Sequence, residues 1–266
     1  PVVGPRLDAA GSLTFDNAPD DALLLQTAAS RGDTISAPIT NHVSLIAQND
    51  SVNPLTLSGV IAGSGNITFN GTVNLGGANT FSGSTTISNG TLQLANTLAL
   101  QNSTLNYDGG NLTFNGITAA TLGGLSGAQN LSLLNTSSAA VALTVGANNA
   151  STAYAGAFSG GGSLTKTGTG TQILSGPNTY TGNTTVLGGN LTVSGGTINA
   201  PASTITVGNG ATGISFNVTG GTVVANVLNV APVANSTGDN ASITGSGSAT
   251  FASVNLGSSA NTSGPL

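Results

Sequence analysis

Acid-base chemistry in this chain would have to use its eight aspartates or its single histidine. Asp16, Asp20 and Asp21 lie close together in sequence, and glycoside hydrolysis requires two carboxylates about 5 to 10 Å apart. The alternative interpretation is a solvated turn, because aspartate is favoured in turns beside proline. Asp108 and Asp239 are isolated in sequence, and glutamate is absent. The sequence therefore favours the turn, and we predict no catalytic carboxylate pair.

The sole imidazole belongs to His42, which stands in "ITNHVSLI" beside a predicted strand. A catalytic triad is identified by geometry, and no nucleophile elbow lies near this histidine, so we predict an outward-facing or turn side chain. The chain has no cysteine thiolate and no Gly-Gly-x-Gly-x-Asp calcium repeat. Glycine-rich segments such as "GSGN" and "GGGS" lack the lysine of a phosphate loop. We therefore predict no enzyme, metal site or cofactor.

A candidate adhesion motif is formed by Arg31, Gly32 and Asp33, the tripeptide that integrin-binding proteins present on exposed loops. Gly32 places the tripeptide in a predicted turn before "TISAP", although such a short motif also arises by chance. Asn-x-Ser/Thr sequons occur at positions that include Asn66, Asn89, Asn183 and Asn190. They would accept glycans in a eukaryotic secretory pathway, but the composition alone generates them, and we interpret them as a turn asparagine followed by a strand threonine.

The composition excludes several classes of protein. Three scattered cations, Arg6, Arg31 and Lys166, and a net charge of -5 cannot form a phosphate-binding patch, which argues against nucleic acid as a partner. With 38% hydrophobic residues the chain should fold. Short apolar clusters between Gly, Asn and Asp are typical of many short strands joined by turns. No apolar run reaches the length of a membrane span, and no signal peptide opens the sequence, which indicates a processed form or an excised fragment.

Self-comparison reveals an internal repeat. "GSGNITFNGTVNLGGANTFSGSTTISNGTLQL" at 63–94 aligns with "GGGSLTKTGTGTQILSGPNTYTGNTTVLGGNLTV" at 160–193, with two residues inserted in the second copy. Asn79, Gly83 and Leu92 match Asn178, Gly182 and Leu191, among other identities. The recurrence at separate places in the chain is typical of a solenoid, in which each coil meets similar neighbours.

The two copies resemble the autotransporter-associated β-strand repeat of bacterial passenger domains. Together with a lead-in at 33–71 they cover roughly half of the chain. The resemblance implies a β-helical fold and an extracellular or cell-surface location, whereas such repeats occur in proteins with many activities. Phe69 in the first copy aligns with Lys166 in the second, which suggests a turn-side position that tolerates either residue.

Strict alternation supports the same fold. In "NLTVS", Leu191 and Val193 lie on one face of a strand, and Thr192 and Ser194 on the other. None of the predicted strands exceeds about six residues, and we expect Gly and Asn at the corners because they accept positive φ. The sequence thus predicts an all-β, right-handed parallel β-helix over residues 34–266, with roughly 20 to 25 residues per coil.

Residues 1–33 differ in composition and are predicted to be a capping or lead-in segment. "PDDALLLQTAASRG" has the start and stop residues of a short capping helix. Equally, "SLTF", "ALLL" and "DTIS" recur about every ten residues, as further strands of the solenoid would. Both alternatives are compatible with the sequence.

Three functions follow for such a chain. The leading hypothesis is a non-enzymatic extracellular scaffold of passenger type, acting as a stalk or as an adhesin toward a host or matrix surface. The runner-up is a subunit of a self-assembling filament, because a solenoid has unpaired strand edges at both ends that head-to-tail stacking would satisfy. A carbohydrate-active β-helix enzyme is the third, and the shortage of carboxylates argues against it.

Overall fold

The protein is described here by a computed structural model that covers residues 6–7, 11–16, 21–208, 213–231 and 238–257. Within these residues the backbone consists of β-strands and turns and contains no helix. The chain divides into two units, Pro1–Gly123 with Asn135–Ser137 and Gly124–Leu134 with Ser138–Leu266. This division does not test the predicted boundary after residue 33, which stays a prediction.

The first unit is built from short strands. They are β1 (Arg6–Leu7), β2 (Leu13–Phe15), β3 (Ala22–Gln26), β4 (Thr34–Ile35), β5 (Ile39–Asn41), β6 (Leu45–Asn49), β7 (Leu55–Leu57), β8 (Ile61–Gly63), β9 (Ile67–Leu75), β10 (Thr85–Leu94), β11 (Leu100–Tyr107) and β12 (Asn111–Phe114). The next strand, β13 (Ala119–Gly127), begins in the first unit and ends in the second.

These strands stack in three parallel ladders. The ladders run β2–β5–β8, β3–β6–β9–β10–β11 and β4–β7–β9–β10–β12. β9 and β10 belong to two ladders because each passes through a corner, where Gly71 pairs with Gly90. β1 pairs antiparallel with β2.

The second unit repeats this arrangement with its own strands. They are β14 (Leu131–Ser132), β15 (Ala142–Val145), β16 (Thr152–Tyr154), β17 (Phe158–Ser159), β18 (Ser163–Lys166), β19 (Thr171–Leu174), β20 (Pro177–Asn178), β21 (Thr184–Val186), β22 (Asn190–Val193), β23 (Thr197–Val207), β24 (Ser215–Val218), β25 (Thr222–Val230), β26 (Asn240–Ile243) and β27 (Ser248–Leu256). The longest ladders run β15–β18–β21–β23–β25–β27 and β16–β19–β22–β24–β26, and both are parallel.

Each unit is therefore a parallel β-solenoid, as the sequence predicted. Side-chain hydrogen bonds between neighbouring coils join residues 18 apart at Thr85 and Ser103, and 26 apart at Thr222 and Ser248. These separations bracket the predicted coil length. The coil can vary by several residues because the strands fix the register, while the corners between strands absorb insertions.

The core is the interior of the coils. Leu191 and Val193 are fully buried, whereas Thr192 between them is half-buried and faces outward, which confirms the predicted alternation. Buried aliphatic side chains stack directly above one another, for example Leu57, Leu75 and Leu94 in the first unit. Burial of such stacks, at about 25 cal/mol per Å² of apolar surface, is the main favourable contribution to folding.

Two details of the predicted strands are corrected by the structure. β23 has 11 residues and β10 has 10, so the predicted limit of about six residues is wrong. The reason is that a strand can continue through a corner when its pairing shifts register, as β23 does between Ala200 and Thr204. "SLTF", "ALLL" and "DTIS" contribute β2, β3 and β4, so the strand alternative describes this segment and the capping helix does not.

Gly83 and Gly182, which match in the two repeats, have a role that the sequence did not reveal. Gly83 and Gly182 do not have positive φ. A Cβ atom at Gly83 would lie 2.0 Å from the carbonyl oxygen of Gly65, and one at Gly182 would lie 2.3 Å from that of Gly162. These glycines allow the backbones of neighbouring coils to approach, whereas Gly90 (φ 80°) fits the predicted role at a corner.

One buried polar side chain connects coils that are not neighbours. Gln172 is 1% exposed in β19, and its Oε1 accepts a hydrogen bond of 2.8 Å from the Thr152 hydroxyl in the preceding coil. Its Nε2 donates to the carbonyl oxygen of Leu125, 47 residues earlier, at 3.2 Å. Since Tyr154 pairs with both Gly127 and Leu174, Leu125 and Gln172 belong to coils two steps apart.

Candidate functional site

The predicted adhesion motif lies on an exposed turn between β3 and β4. Arg31, Gly32 and Asp33 are all exposed. Gly32 has a φ of 104°, a conformation that residues with a Cβ atom rarely adopt. The turn thus depends on the glycine at the centre of the motif.

A polar cluster, formed by the buried Gln26, Asn49 and Ser51 and the half-buried Asn53, supports this turn. Gln26 accepts a hydrogen bond from the backbone N–H of Asp33 at 2.6 Å. Through Nε2 it donates to Asn49 Oδ1 at 2.8 Å and to the Asn53 carbonyl at 2.7 Å. Gln26 and Asn49 are buried, and their hydrogen bonds satisfy groups that would be costly to leave unpaired in the interior.

The same cluster joins the turn to the coil that follows it. Ser51 Oγ donates to the carbonyl oxygen of Ser30 at 2.7 Å, and Asn53 Nδ2 donates to that oxygen at 3.3 Å. Asn49 Nδ2 donates to the carbonyl oxygen of Thr72 in the next coil at 2.7 Å. The backbone on both sides of Arg31 is therefore fixed by hydrogen bonds, at Ser30 from the following coil and at Asp33 from Gln26 of the same coil.

The charged groups of the motif are available for binding. Within the described residues neither the Arg31 guanidinium nor the Asp33 carboxylate has an ion-pair or hydrogen-bond partner, although the backbone around them is held. A cation and an anion separated by one residue on a fixed turn can recognise a partner with complementary charges or with a metal ion at its surface. Little conformational entropy would be lost on binding, because the backbone is already ordered.

The polar cluster was not identified from the sequence, although a signal for it exists. Gln26 continues the inward alternation of Ala22 and Leu24, and Asn49 continues that of Leu45 and Ala47. A polar residue in phase with buried apolar residues predicts an internal hydrogen-bond network. The alternation that placed the core could therefore also have located the cluster.

The other candidate residues do not form a catalytic arrangement in the described part of the chain. Asp16 and Asp21 are exposed, and Asp20 lies outside the described residues. His42 is exposed at the end of β5, in agreement with the predicted outward or turn position. Asp108 is exposed in a turn. Among the described residues no group of three metal-binding side chains occurs.

Three of the sequon asparagines, Asn66, Asn183 and Asn190, bond to a neighbouring coil, whereas Asn89 bonds within its own coil. Asn66 Oδ1 accepts hydrogen bonds of 2.9 Å from both the N–H and the hydroxyl of Ser84, and Asn183 Oδ1 accepts one of 2.9 Å from the N–H of Thr204. Asn89 bonds the N–H of Gly90, and Asn190 donates to the hydroxyl of Thr171. Asn66 and Asn183 lie in turns before a strand, as interpreted from the sequence, whereas Asn89 and Asn190 lie within β10 and β22, which the interpretation did not foresee.

Lys166 is placed differently from the prediction. Lys166 aligns with Phe69 of the first repeat, and this position was predicted to lie on the turn side. The prediction is wrong, because both side chains are 0% exposed. Each residue lies two positions after a buried strand residue, Ile67 or Leu164, and so points inward. The residue type at this position in one copy does not predict the type in the other, because a lysine and a phenylalanine both occupy the buried side of the strand.

The buried ammonium of Lys166 is held by backbone carbonyl oxygens. Nζ donates to Thr167, to Gly168 at 3.0 Å and to Gly188 at 3.1 Å. Burial lowers the pKa of Lys166 from 10.5 to about 8, because removal from water disfavours the charged form. The carbonyl dipoles compensate only part of that loss of hydration.

Asn79 and Asn178, which match in the two repeats, are buried links between three successive coils. Asn178 Oδ1 accepts from the N–H of Phe158 at 2.9 Å, and its Nδ2 donates to the carbonyl of Thr197 at 2.9 Å. Asn79 accepts from Ile61 and donates to Ala99 in the same manner. The sequence predicted corner asparagines, but it did not reveal that these two are buried and bonded to the coils on both sides.

Asp239 occupies a related position in the last described coils. It is 0% exposed, and its Oδ1 accepts a hydrogen bond of 2.9 Å from the N–H of Ile214. Within the described residues Oδ2 is buried without a hydrogen-bond partner. An aspartate can accept in the same way as the asparagines, but its ionised form has no donor for the following coil.

Comparison with known proteins identifies the repeat. The sequence model of the passenger-associated-transport-repeat family matches residues 70–94 and 164–193. The two stretches lie inside the predicted copies at 63–94 and 160–193, which confirms the resemblance, and one belongs to each unit. No curated protein and no solved structure gives a significant match. No described helix has the length and apolar character of a membrane span.

Proposed function

We propose that this chain, with one passenger-associated-transport repeat in each of its two units, is part of the passenger of a bacterial autotransporter. The repeat family implies a secreted or surface-exposed protein. In this proposal the solenoid is a non-enzymatic scaffold on the outside of the cell, and its coils are right-handed, as parallel crossover connections nearly always are. The scarcity of paired acids among the described residues supports the absence of catalysis.

We further propose that the scaffold is an adhesin that presents Arg31, Gly32 and Asp33 to a host or matrix surface. The observation that carries this proposal is the ordered turn. It exposes a cation and an anion, and its backbone is hydrogen-bonded to the polar cluster.

To test the adhesion proposal, the purified chain is coupled to beads, and the beads are passed over cells that display integrins. We expect Asp33→Ala to reduce bead retention roughly tenfold or more, the size of a typical hot-spot loss, because the receptor-facing carboxylate is removed. Asp33→Glu keeps the charge but moves it outward by one methylene, and it should lose most of the retention as well. The readout is the number of beads retained under flow.

Asp21→Ala is the matched control, because Asp21 is another exposed aspartate of the same unit. It should leave retention unchanged. Undiminished retention of the Asp33→Ala beads, with unchanged far-UV circular dichroism, would contradict adhesion through the tripeptide. It would leave the passenger-type scaffold itself unaffected, since that rests on the repeats.

A second candidate function is that of a filament subunit stacked head to tail. The observation that favours it is β27, which pairs with β25 and has no partner on its other edge among the described residues. Its Leu256 is 45% exposed, although the residue aligned with it, Val230, is buried. Electron microscopy of the full chain should show end-to-end fibres if this function holds, and single particles at every concentration would contradict it.

A further inference from the structure

Asn-Gly dipeptides are a feature of the sequence that the proposed functions leave unused. The sequence contains four of them, at 70–71, 89–90, 115–116 and 209–210, and the last lies outside the described residues. In such a pair the backbone nitrogen of the glycine can attack the side-chain carboxamide carbon of the asparagine, because glycine has no Cβ atom to hinder the approach. The reaction is intramolecular, so its rate depends on how closely the two groups are held.

The pair of Asn89 and Gly90 is held in a geometry that favours this reaction. The N–H of Gly90 donates a hydrogen bond of 2.8 Å to Oδ1 of Asn89, so the attacking nitrogen lies beside the carboxamide. A near-attack arrangement brings the reacting atoms to about 3 to 3.5 Å, and a rotation of the carboxamide about its Cβ–Cγ bond presents the carbon to the nitrogen. Asn89 is exposed, which gives water access to the pair.

The corner of β10 produces this geometry. The pairing of β10 with β9 shifts register between Ile87 and Asn89, and Gly90 has a φ of 80°. A shift of this kind leaves backbone groups outside the regular ladder. Within the described residues the Asn89 side chain makes no other hydrogen bond, so its Nδ2, which must leave as ammonia, is not held.

The equivalent pair in the preceding coil is held differently. Asn70 and Gly71 pair directly with Asn89 and Gly90 in the ladder. Nδ2 of Asn70 donates to Oε1 of Gln48 at 2.6 Å, so this carboxamide is bonded to a neighbouring coil. Asn70 is also half-buried. The same dipeptide in the same register is therefore a matched internal control.

The third described pair is exposed, but its nucleophile is engaged. Asn115 and Gly116 follow β12, and both are exposed. The N–H of Gly116 donates to the carbonyl oxygen of Phe114 at 3.0 Å. Water reaches this pair as it reaches Asn89, whereas the glycine nitrogen is bonded to a different group.

We propose that Asn89 is a site of spontaneous deamidation, with water as the only co-reactant. The Gly90 nitrogen loses its proton to hydroxide and bonds to Cγ of Asn89. The Cγ–Nδ2 bond then breaks, and Nδ2 takes up a proton from water and leaves as ammonia. Water adds to the resulting succinimide: cleavage of the new N–Cγ bond gives aspartate, and cleavage of the original peptide bond gives isoaspartate. No atom is oxidised or reduced.

Conversion changes both charge and backbone at this corner. Either product adds a carboxylate in line with the neutral side chain of Asn70. Isoaspartate also lengthens the main chain by one methylene. A Cβ atom at Gly90 would already lie 2.4 Å from the carbonyl oxygen of Gly71, so the longer chain requires the corner to open.

Peptide mapping by mass spectrometry of the full chain, aged in the folded state from pH 7 to pH 9, tests the proposal. Asn89 should convert at least about tenfold faster than Asn70 and Asn115, because only its glycine nitrogen is aligned. Its rate should rise about tenfold per pH unit, since the nitrogen must lose a proton. The acidic side chains nearest this corner, Asp50 beside Gln48 and Asp108 in the following coil, do not account for the rise, because carboxyl groups are ordinarily ionised above pH 7.

Two controls separate the fold from the local sequence. In urea the three asparagines should convert at similar rates, because each is followed by glycine and the folded geometry is lost. Gln48→Ala releases the carboxamide of Asn70 and should accelerate conversion there, while Asn89 keeps its rate.

The proposal is overturned if Asn89 converts no faster than Asn70 and Asn115 in the folded chain, or if its rate does not rise with pH. It is also overturned if the chain in urea shows the same order of rates, because the local sequence and not the corner would then set that order. An unchanged rate at Asn70 in Gln48→Ala would count against it as well, since alignment of the carboxamide would then not control the reaction.

Discussion

The Lys166→Met variant is expected to be more stable than the wild type by roughly 2 kcal/mol at pH 7. The pKa of Lys166 is lowered from 10.5 to about 8, and each pKa unit corresponds to about 1.4 kcal/mol, so burial of the ammonium costs roughly 3 kcal/mol. Methionine has a similar shape and no charge. Part of the gain is lost because the carbonyl oxygens of Thr167, Gly168 and Gly188 no longer receive a donor, although these residues are half-buried and within reach of water.

The pH dependence of this difference identifies its cause. Below pH 8 the lysine is protonated in both the folded and the unfolded chain, so the full destabilisation is present. Between pH 8 and 10.5 the folded chain releases a proton that the unfolded chain keeps, and the stability of the wild type rises with pH. The gap between variant and wild type should therefore narrow above pH 8, as measured by urea denaturation from pH 7 to pH 10.

Tyr180 does not disturb this comparison. Its pKa is raised to about 12 by burial, which lowers stability above pH 10 because the unfolded tyrosine ionises first. That contribution is the same in wild type and variant and cancels in their difference. Phe69→Lys is the reciprocal control at the equivalent buried position, and it should be destabilised by several kcal/mol. Equal stabilities of Lys166→Met and wild type at pH 7, or a gap independent of pH, would contradict the assignment.

Asn178→Ala is expected to lower the free energy of unfolding by about 3 to 5 kcal/mol. The side chain makes hydrogen bonds to Phe158, Thr197 and Gly176, each 2.9 Å long. Its removal leaves a buried N–H and at least one carbonyl without a partner, at about 1 to 3 kcal/mol each, and creates a cavity. Urea denaturation monitored by far-UV circular dichroism measures the loss.

Two further variants define this prediction. Asn79→Ala removes the equivalent link of the first repeat and should show a loss of similar size. Asn183→Ala removes an exposed asparagine that accepts one bond from Thr204, and it should lose about 1 kcal/mol. If Asn178→Ala and Asn183→Ala were equally stable, the buried links would not be the main polar contribution to stacking.

The sequence alone was sufficient to predict the features that can be read directly from the pattern of residues. The alternation of Leu191 and Val193 placed the core, and the repeat indicated the solenoid, because both are properties of local pattern. The exposed turn of Arg31 to Asp33 was likewise foreseeable from Gly32. These features require no knowledge of which coil lies above or below.

The sequence alone was not sufficient to predict features that depend on contacts between neighbouring coils. Gly83 and Gly182 are required by a carbonyl oxygen about 20 residues earlier, and Lys166 tolerates burial because Gly188 of the following coil presents its carbonyl. Such contacts depend on the register between coils, which the corners set and which pattern within one strand does not contain. The polar cluster of Gln26, Asn49, Ser51 and Asn53 belongs to the same class, since it joins residues of three coils.

Gln172 gives the second unit a mechanical property that a simple stack does not have. In an ideal solenoid each coil interacts only with its nearest neighbours, so coils can detach one at a time from an end. The bond from Gln172 to Leu125 reaches past the intervening coil and joins the coils on its two sides directly. Under a pulling force, or during attack by a protease, these three coils should yield as one cooperative block, with a single larger extension in place of three small ones.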